Sequence, residues 1–252
     1  MEEKLKRRDE EKVRAEAKKR ILVKYGIVTL VTLVVMFVFV ITFVFVPGVQ
    51  APPGVGDIIQ FGEWDWRVLD IQNDRALIIT KNVIERRPYN VDFAEDVTWE
   101  TSSLREYLNG TFLQRFTEEE LGRIVEAEIN NPDNLWYGTS GGESTIDKVF
   151  LLSLEEADRY FGDSGDYRNR RRMVYDSNLK SWAPINYGFA FTNTYDSDRT
   201  AKYDSHISEW WLRSPGRASF RAANVNTGGE VIVSGKAAIS VAGVRPALWL
   251  NL

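Results

Sequence analysis

Cysteine is absent from the 252 residues, and histidine occurs once, as His206. No disulfide framework, thiolate nucleophile or zinc–thiolate site can therefore exist, and a single imidazole cannot build a histidine-based metal centre. Beside Asp204, His206 lacks the nucleophile signal of a catalytic base and reads as a surface or capping residue. Charge is also missing from one long stretch. Tyr25–Val46 (YGIVTLVTLVVMFVFVITFVFV) carries no Asp, Glu, Lys or Arg, and the following VPGVQAPPGVG carries none either.

As a helix rising 1.5 Å per residue, the uncharged run would span about 33 Å, against roughly 30 Å of bilayer hydrocarbon. Thr29, Thr32 and Thr42 can return their hydroxyls to the helix backbone. Residues 1–20 hold nine Lys or Arg and six Asp or Glu, with Lys18, Lys19 and Arg20 next to the run. The positive-inside rule then predicts a plasma-membrane, single-pass protein with a cytoplasmic N-terminus and the C-terminal domain outside. A cleaved secretory signal fits less well, because its apolar region is about 7–15 residues and Val49-Gln50-Ala51 is followed by two prolines. The expected division is a charged cytoplasmic tail (1–20), a transmembrane helix (21–46), a linker (47–55) and one extracytoplasmic domain (56–252). The expected fold class is α+β, and the lipid bilayer is an expected partner through Tyr25–Val46.

Beyond residue 46 the chain has 22 Lys or Arg and 30 Asp or Glu, a balance that argues against a nucleic-acid partner. All eight tryptophans lie there. Short apolar segments at Ile58–Phe61, Trp66–Ile71 and Ala76–Thr80, parted by GEWD and QNDR, predict a β-meander. Trp64, Trp66 and Val68 alternate with Asp65 and Arg67, which predicts one buried face. Ser103 with Glu106, Thr117 with Glu120 and Ser153 with Glu156 have capping-box spacing and predict three helix starts. Val149–Leu152 is strand-like. Strands return at Glu209–Arg213, Ala222–Val225, Glu230–Val233 and Val244–Leu250, with a hairpin turn at Asn226–Gly229.

Between Gly162 and His206 no period persists, and so long an irregular insertion is usually functional or disordered. Its aromatic content argues against plain disorder. Arg168, Arg170, Arg171 and Arg172 form a basic knot, suited to anionic groups or to its own Asp neighbours. The candidate ligand-binding residues are Tyr167, Arg170, Arg171, Trp182, Tyr187 and Tyr195. Asp163/Asp166 and Asp196/Asp198 lack calcium-loop spacing, so no metal and no cofactor is expected. Trp210, Trp211, Arg213 and Arg245 are expected to be structural.

Four segments, GDIIQFGEWDWRVLDI, WETSSLREYLNGTFLQRF, TIDKVFLLSLEEADRYF and WWLRSPG…GVRPALWLNL, resemble in order and spacing a bacterial extracytoplasmic family of unknown function, numbered 6273. The resemblance covers nearly all of 56–252 and carries no catalytic residues with it. More distantly, Trp210–Arg213, the hairpin and Gly243–Pro246 resemble the end of C-type-lectin-like folds. The oxidase cysteines and sugar–calcium motifs of such folds are missing, so neither activity follows from the likeness. The functional expectation is a noncatalytic, membrane-anchored binding module for a cell-envelope glycan, peptide or protein. The alternatives are a structural or sensory subunit of an envelope complex, and a hydrolase pairing Asp163 or Asp196 with Glu209.

Overall fold

The computed structural model describes the backbone of residues 2–44, 52–161, 173–176, 181–184 and 196–252. The chain divides into two units, Met1–Pro52 and Pro53–Leu252.

The first unit is a single helix, α1 (Glu2–Val44). Within it the Thr29 and Thr32 hydroxyls donate to the carbonyls of Tyr25 and Val28, both at 2.8 Å. The expected membrane span is corrected here: among the described residues, no helix is long and apolar enough to cross a membrane. Charged residues run through the first half of α1, as far as Lys24. The expected single-pass plasma-membrane location, with the second unit outside, falls with the span.

The second unit is mostly β-sheet with short helices, which also corrects the α+β expectation. In chain order it contains β1 (Ile58–Phe61), β2 (Trp64–Gln72), β3 (Arg75–Thr80), β4 (Glu85–Pro88), α2 (Ser103–Asn109), a 3-10 turn (Thr111–Arg115) and α3 (Glu118–Arg123). There follow β5 (Ile124–Val125), β6 (Ala127–Ile129), β7 (Thr145–Asp147), α4 (Leu154–Arg159), β8 (Met173–Asp176), β9 (Ser181–Pro184) and α5 (Asp196–Arg199). The chain ends in β10 (Ala201–Tyr203), β11 (His206–Ser208), β12 (Trp210–Pro215), β13 (Arg221–Val225), β14 (Val231–Ala237), β15 (Val241–Val244) and β16 (Ala247–Asn251).

Two five-stranded sheets carry the architecture, one in the order β1-β2-β3-β16-β5 and the other β14-β13-β12-β15-β4. Among the described residues, only β12 and β15 run parallel. In β2 the alternation buries Trp66 and Val68 as expected, until a register shift between Val68 and Asp70 brings Leu69 inward as well. Central strand β12 is buried along its whole length, with Trp210, Trp211 and Leu212 fully enclosed.

The capping boxes at Thr117/Glu120 and Ser153/Glu156 are both formed. The first helix start differs by one residue. Ser102, not Ser103, caps α2, accepting from the Arg105 amide at 3.2 Å. The Ser103 amide is held by the Asn90 side chain at 2.9 Å and its hydroxyl by the Val91 amide, so tertiary docking decides between adjacent serines. Val149–Leu152 forms an isolated bridge, Phe150 to Ala247, rather than a strand.

The expected terminal strand Val244–Leu250 is split. Its first part pairs with β4 in one sheet and its second with β3 in the other. Beside it, the chain from β3 to β4 makes the same crossing: the Thr80 amide donates to the Pro246 carbonyl and the Ile84 amide to the Val244 carbonyl, each at 3.0 Å. Two crossovers thus lie side by side at one seam.

Candidate ligand-binding groove at the seam

A groove of about 250 Å³ opens at this seam, lined by Gln60, Glu63, Trp64 and Asp65 from the β1–β2 turn and by residues 80–84 from the crossover. The turn is tight because Gly62 adopts φ 58°, and a Cβ there would meet the Phe116 ring at 2.9 Å. Trp64 is half-buried. Phe112 stacks with it at 5.2 Å between centroids, and Phe116 meets it edge-on at 5.6 Å. The Arg115 guanidinium stands 4.4 Å from its ring centroid and pairs with Glu63. The indole is therefore fixed in place by packing, which lowers the ordering cost of a contact made against it.

Behind the groove lies a buried cation. Arg245 is 2% exposed; its Nε donates to the Thr80 carbonyl at 2.8 Å and its Nη2 to the Lys81 carbonyl at 3.2 Å. The guanidinium also lies over Trp210 at 4.9 Å and Phe161 at 5.2 Å. Burial, with the nearby Arg67 charge adding to it, pushes its pKa down to about 9. It still carries its proton at neutral pH. Among the described residues no carboxylate pairs with it, and the carbonyls and ring faces take up the charge instead. Thr80, also buried, keeps a hydroxyl with no hydrogen-bond partner among the described residues.

The same cluster holds both flanks of the insertion. Phe161, just before it, packs 6.3 Å from Trp210. Arg199, just after it, offers its carbonyl to the Trp210 indole at 3.0 Å and to Arg245 at 3.4 Å. The Lys202 amide donates to the Asn82 side chain at 3.2 Å, and its carbonyl accepts from the Val83 amide at 3.0 Å. The groove wall and the chain leaving the insertion are thus one hydrogen-bonded unit.

At the mouth, Lys81 and Asp65 approach to 3.8 Å with half of each side chain exposed. Such a pair contributes little to stability, so both groups can exchange their mutual contact for a ligand. Amides at Gln60 and Asn82 beside an indole suit a ligand with hydroxyl or amide groups around an apolar ring face.

Of the sequence-predicted site residues, Tyr167, Arg170, Arg171, Tyr187 and Tyr195 lie outside the described residues. Trp182 falls in β9, where only its backbone pairing to Tyr175 is described. Arg168, Arg172, Asp163 and Asp166 likewise lie outside. His206 is exposed, with Nδ1 2.9 Å from the Asp204 carbonyl. Asp196 pairs with Arg199 and Glu209 with Lys236. Among the described residues no group of three His, Asp or Glu is placed to hold a metal. Trp210, Trp211, Arg213 and Arg245 are buried, as expected. Arg213 donates to Glu156 and to the Leu151 and Asn130 carbonyls, tying β12 to the start of α4. Trp64, Lys81 and Asn82 were missed as site residues, because strand patterning assigns Trp64 to a buried face and a β3–β4 connection has no motif. The turn GEWD was the one available signal.

A family model described as a domain of unknown function (DUF6273) matches residues 73–252. The match begins after β2, so the segment GDIIQFGEWDWRVLDI, which helped to suggest the likeness, lies ahead of it. No curated protein and no solved structure matches the chain.

Proposed function

The chain belongs to the DUF6273 family, and from that premise we propose that its folded unit is a noncatalytic binding module whose seam groove takes a sugar unit of a glycan. The observation that carries this reading is the half-buried Trp64, immobilised by Phe112, Phe116 and Arg115 and ringed by Gln60, Asp65, Lys81 and Asn82. An indole plane covers the C–H face of a pyranose, and the amides and charges at its rim match the hydroxyls. The chain on either side of the insertion, at Phe161 and Arg199, packs on the cluster behind the groove, and Trp182 and Tyr187 stay candidates on the sequence alone.

The test is retention of the full chain on a panel of glycans and cell-wall fragments, with Trp64→Ala, Trp182→Ala and Tyr187→Ala compared to the parent. Loss of retention in Trp64→Ala, with unfolding unchanged, supports the groove. Equal retention removes it from the site.

A structural subunit is the second reading. Phe93 and Phe220 are 66% and 39% exposed with ring centroids 6.5 Å apart, and exposed Val91 and Ile239 add to the apolar surface of the unit. Recovery of the chain only in a stoichiometric complex, without affinity for any glycan, favours that reading.

A further inference from the structure

Strand pairing brings an unused aromatic and an unused cation to one face of the first sheet. Trp249 lies opposite Leu77 and Val125, while Arg75 lies opposite Asn251 and Gln72. Directly opposed residues point to the same side. At one end this face is closed, with Ala247, Ile79 and Leu77 buried. At the other end it is open: Gln72, Asn73 and Arg75 are exposed, and Val125, Ala127 and Trp249 half-buried. These six residues line a groove of about 310 Å³.

Its rim is rigid. Asn73 and Asp74 both adopt positive φ, 46° and 62°, in the two-residue turn joining β2 and β3. The Leu252 amide donates to the Asp74 carbonyl at 3.0 Å, and Arg123 holds the Asn251 carbonyl at 3.3 Å. Two of the lining residues carry unspent donors. Among the described residues, neither the Arg75 guanidinium nor the Trp249 indole N–H has a hydrogen-bond or ion-pair partner. Gln72 is oriented by its amide, which donates to Asp70 at 2.7 Å.

We propose that this groove is a second ligand site, for a carboxylate carried on a ring. The guanidinium fork matches a carboxylate in two parallel hydrogen bonds, and the indole with Val125 and Ala127 offers an apolar wall to the ring. The site stands apart from the seam groove and does not depend on the reading given to it. A sugar acid and an aromatic acid share the chemistry.

Fluorine NMR of the full chain labelled with fluorotryptophan separates them. The Trp249 resonance is assigned by its loss in Trp249→Phe, and that of Trp64 by Trp64→Phe. Sodium glucuronate, sodium benzoate and glucose are then titrated to ~50 mM, beyond the millimolar range of weak single-ring ligands. At least one of the two acids is expected to shift the Trp249 resonance saturably while glucose does not. Arg75→Gln, an exposed change that leaves the sheet intact, should weaken that response by roughly five- to tenfold. A Trp249 resonance unmoved by both acids, a response to glucose equal to that of the acids, or undiminished binding in Arg75→Gln each overturns the proposal. Movement of Trp64 alone would favour the seam groove and also overturn this one.

Discussion

Asp147 sits at the end of β7 with its side chain fully buried, and replacing it by Ala should cost about 3–5 kcal/mol of unfolding free energy. One carboxylate oxygen accepts from the Trp99 indole at 2.8 Å and the Thr145 hydroxyl at 2.7 Å; the other accepts from Arg105 Nε at 2.7 Å. In the Ala variant the Trp99 N–H, with no exposure to water, is orphaned at about 1–3 kcal/mol. Thr145 is 5% exposed but its hydroxyl can rotate, so its share is about 1 kcal/mol or less. The Arg105 side chain is 25% exposed and partly hydrated, which discounts the lost ion pair to about 1 kcal/mol. Asp147→Asn keeps the volume and one carbonyl oxygen for Trp99 and Thr145 while turning an amide toward Arg105, and should cost only about 1–2 kcal/mol. Urea unfolding followed by tryptophan fluorescence measures both. At a slope near ~2 kcal/mol/M the Ala variant should lose about 2 M of midpoint with the slope unchanged. An Ala variant within ~1 kcal/mol of the parent, or an Asn variant as damaged as Ala, would refute the assignment of the cost to orphaned donors.

Three further expectations follow from named contacts. Burial works to raise the Glu156 pKa, but the Arg213 guanidinium and the Ser153 amide outweigh it and hold the carboxyl below its ordinary value of 4.5. Its folded pKa is thus depressed, so its stabilisation is present above pH 4.5 and lost as pH falls through the folded value. Glu156→Gln should flatten that acid limb of the stability profile, and a limb as steep as the parent's would contradict the pairing. Gly229 has φ 84°, and a Cβ there would lie 1.8 Å from the Asp196 carbonyl oxygen, so Gly229→Ala must displace backbone. The shift also disturbs the Arg199 bond to the Gly229 carbonyl, and a loss above ~2 kcal/mol is expected by thermal unfolding. An unchanged melting temperature would show that the turn relaxes freely. Ser102→Ala should cost about 1 kcal/mol as the loss of a helix cap, and Ser103→Ala less; equal losses in chemical denaturation would return the cap to Ser103.

Legibility in the sequence followed the range of the interaction. The boxes at Thr117/Glu120 and Ser153/Glu156 were readable because donor and acceptor lie three residues apart. The hairpin at Asn226–Gly229 was readable for the same reason, with the Asn226 side chain accepting from the Gly228 and Glu230 amides at 2.8 and 3.0 Å. Of the candidate site, only the GEWD turn was visible as a turn. Trp64 looked like one more inward residue of β2, because period-2 patterning says which face a side chain takes and not whether anything covers it. The adjacent serines at the start of α2 were indistinguishable until Asn90 docked against one of them.

Local pattern alone determined strands β1–β3 and β12–β14, two capped helices, one hairpin, the absence of thiol chemistry and an acidic balance beyond residue 46. Tertiary structure decided that the segment Val244–Leu250, expected as one strand, divides at Arg245–Pro246 between two sheets, because its partners in β4 and β3 lie more than a hundred residues away. It also decided that Arg245 is a buried cation held by carbonyls and rings, and that Trp64 and Trp249 are left half-open. Periodicity within a segment reports what a side chain prefers. What packs against it depends on chain that arrives from elsewhere in the fold, and both grooves form where that chain stops short.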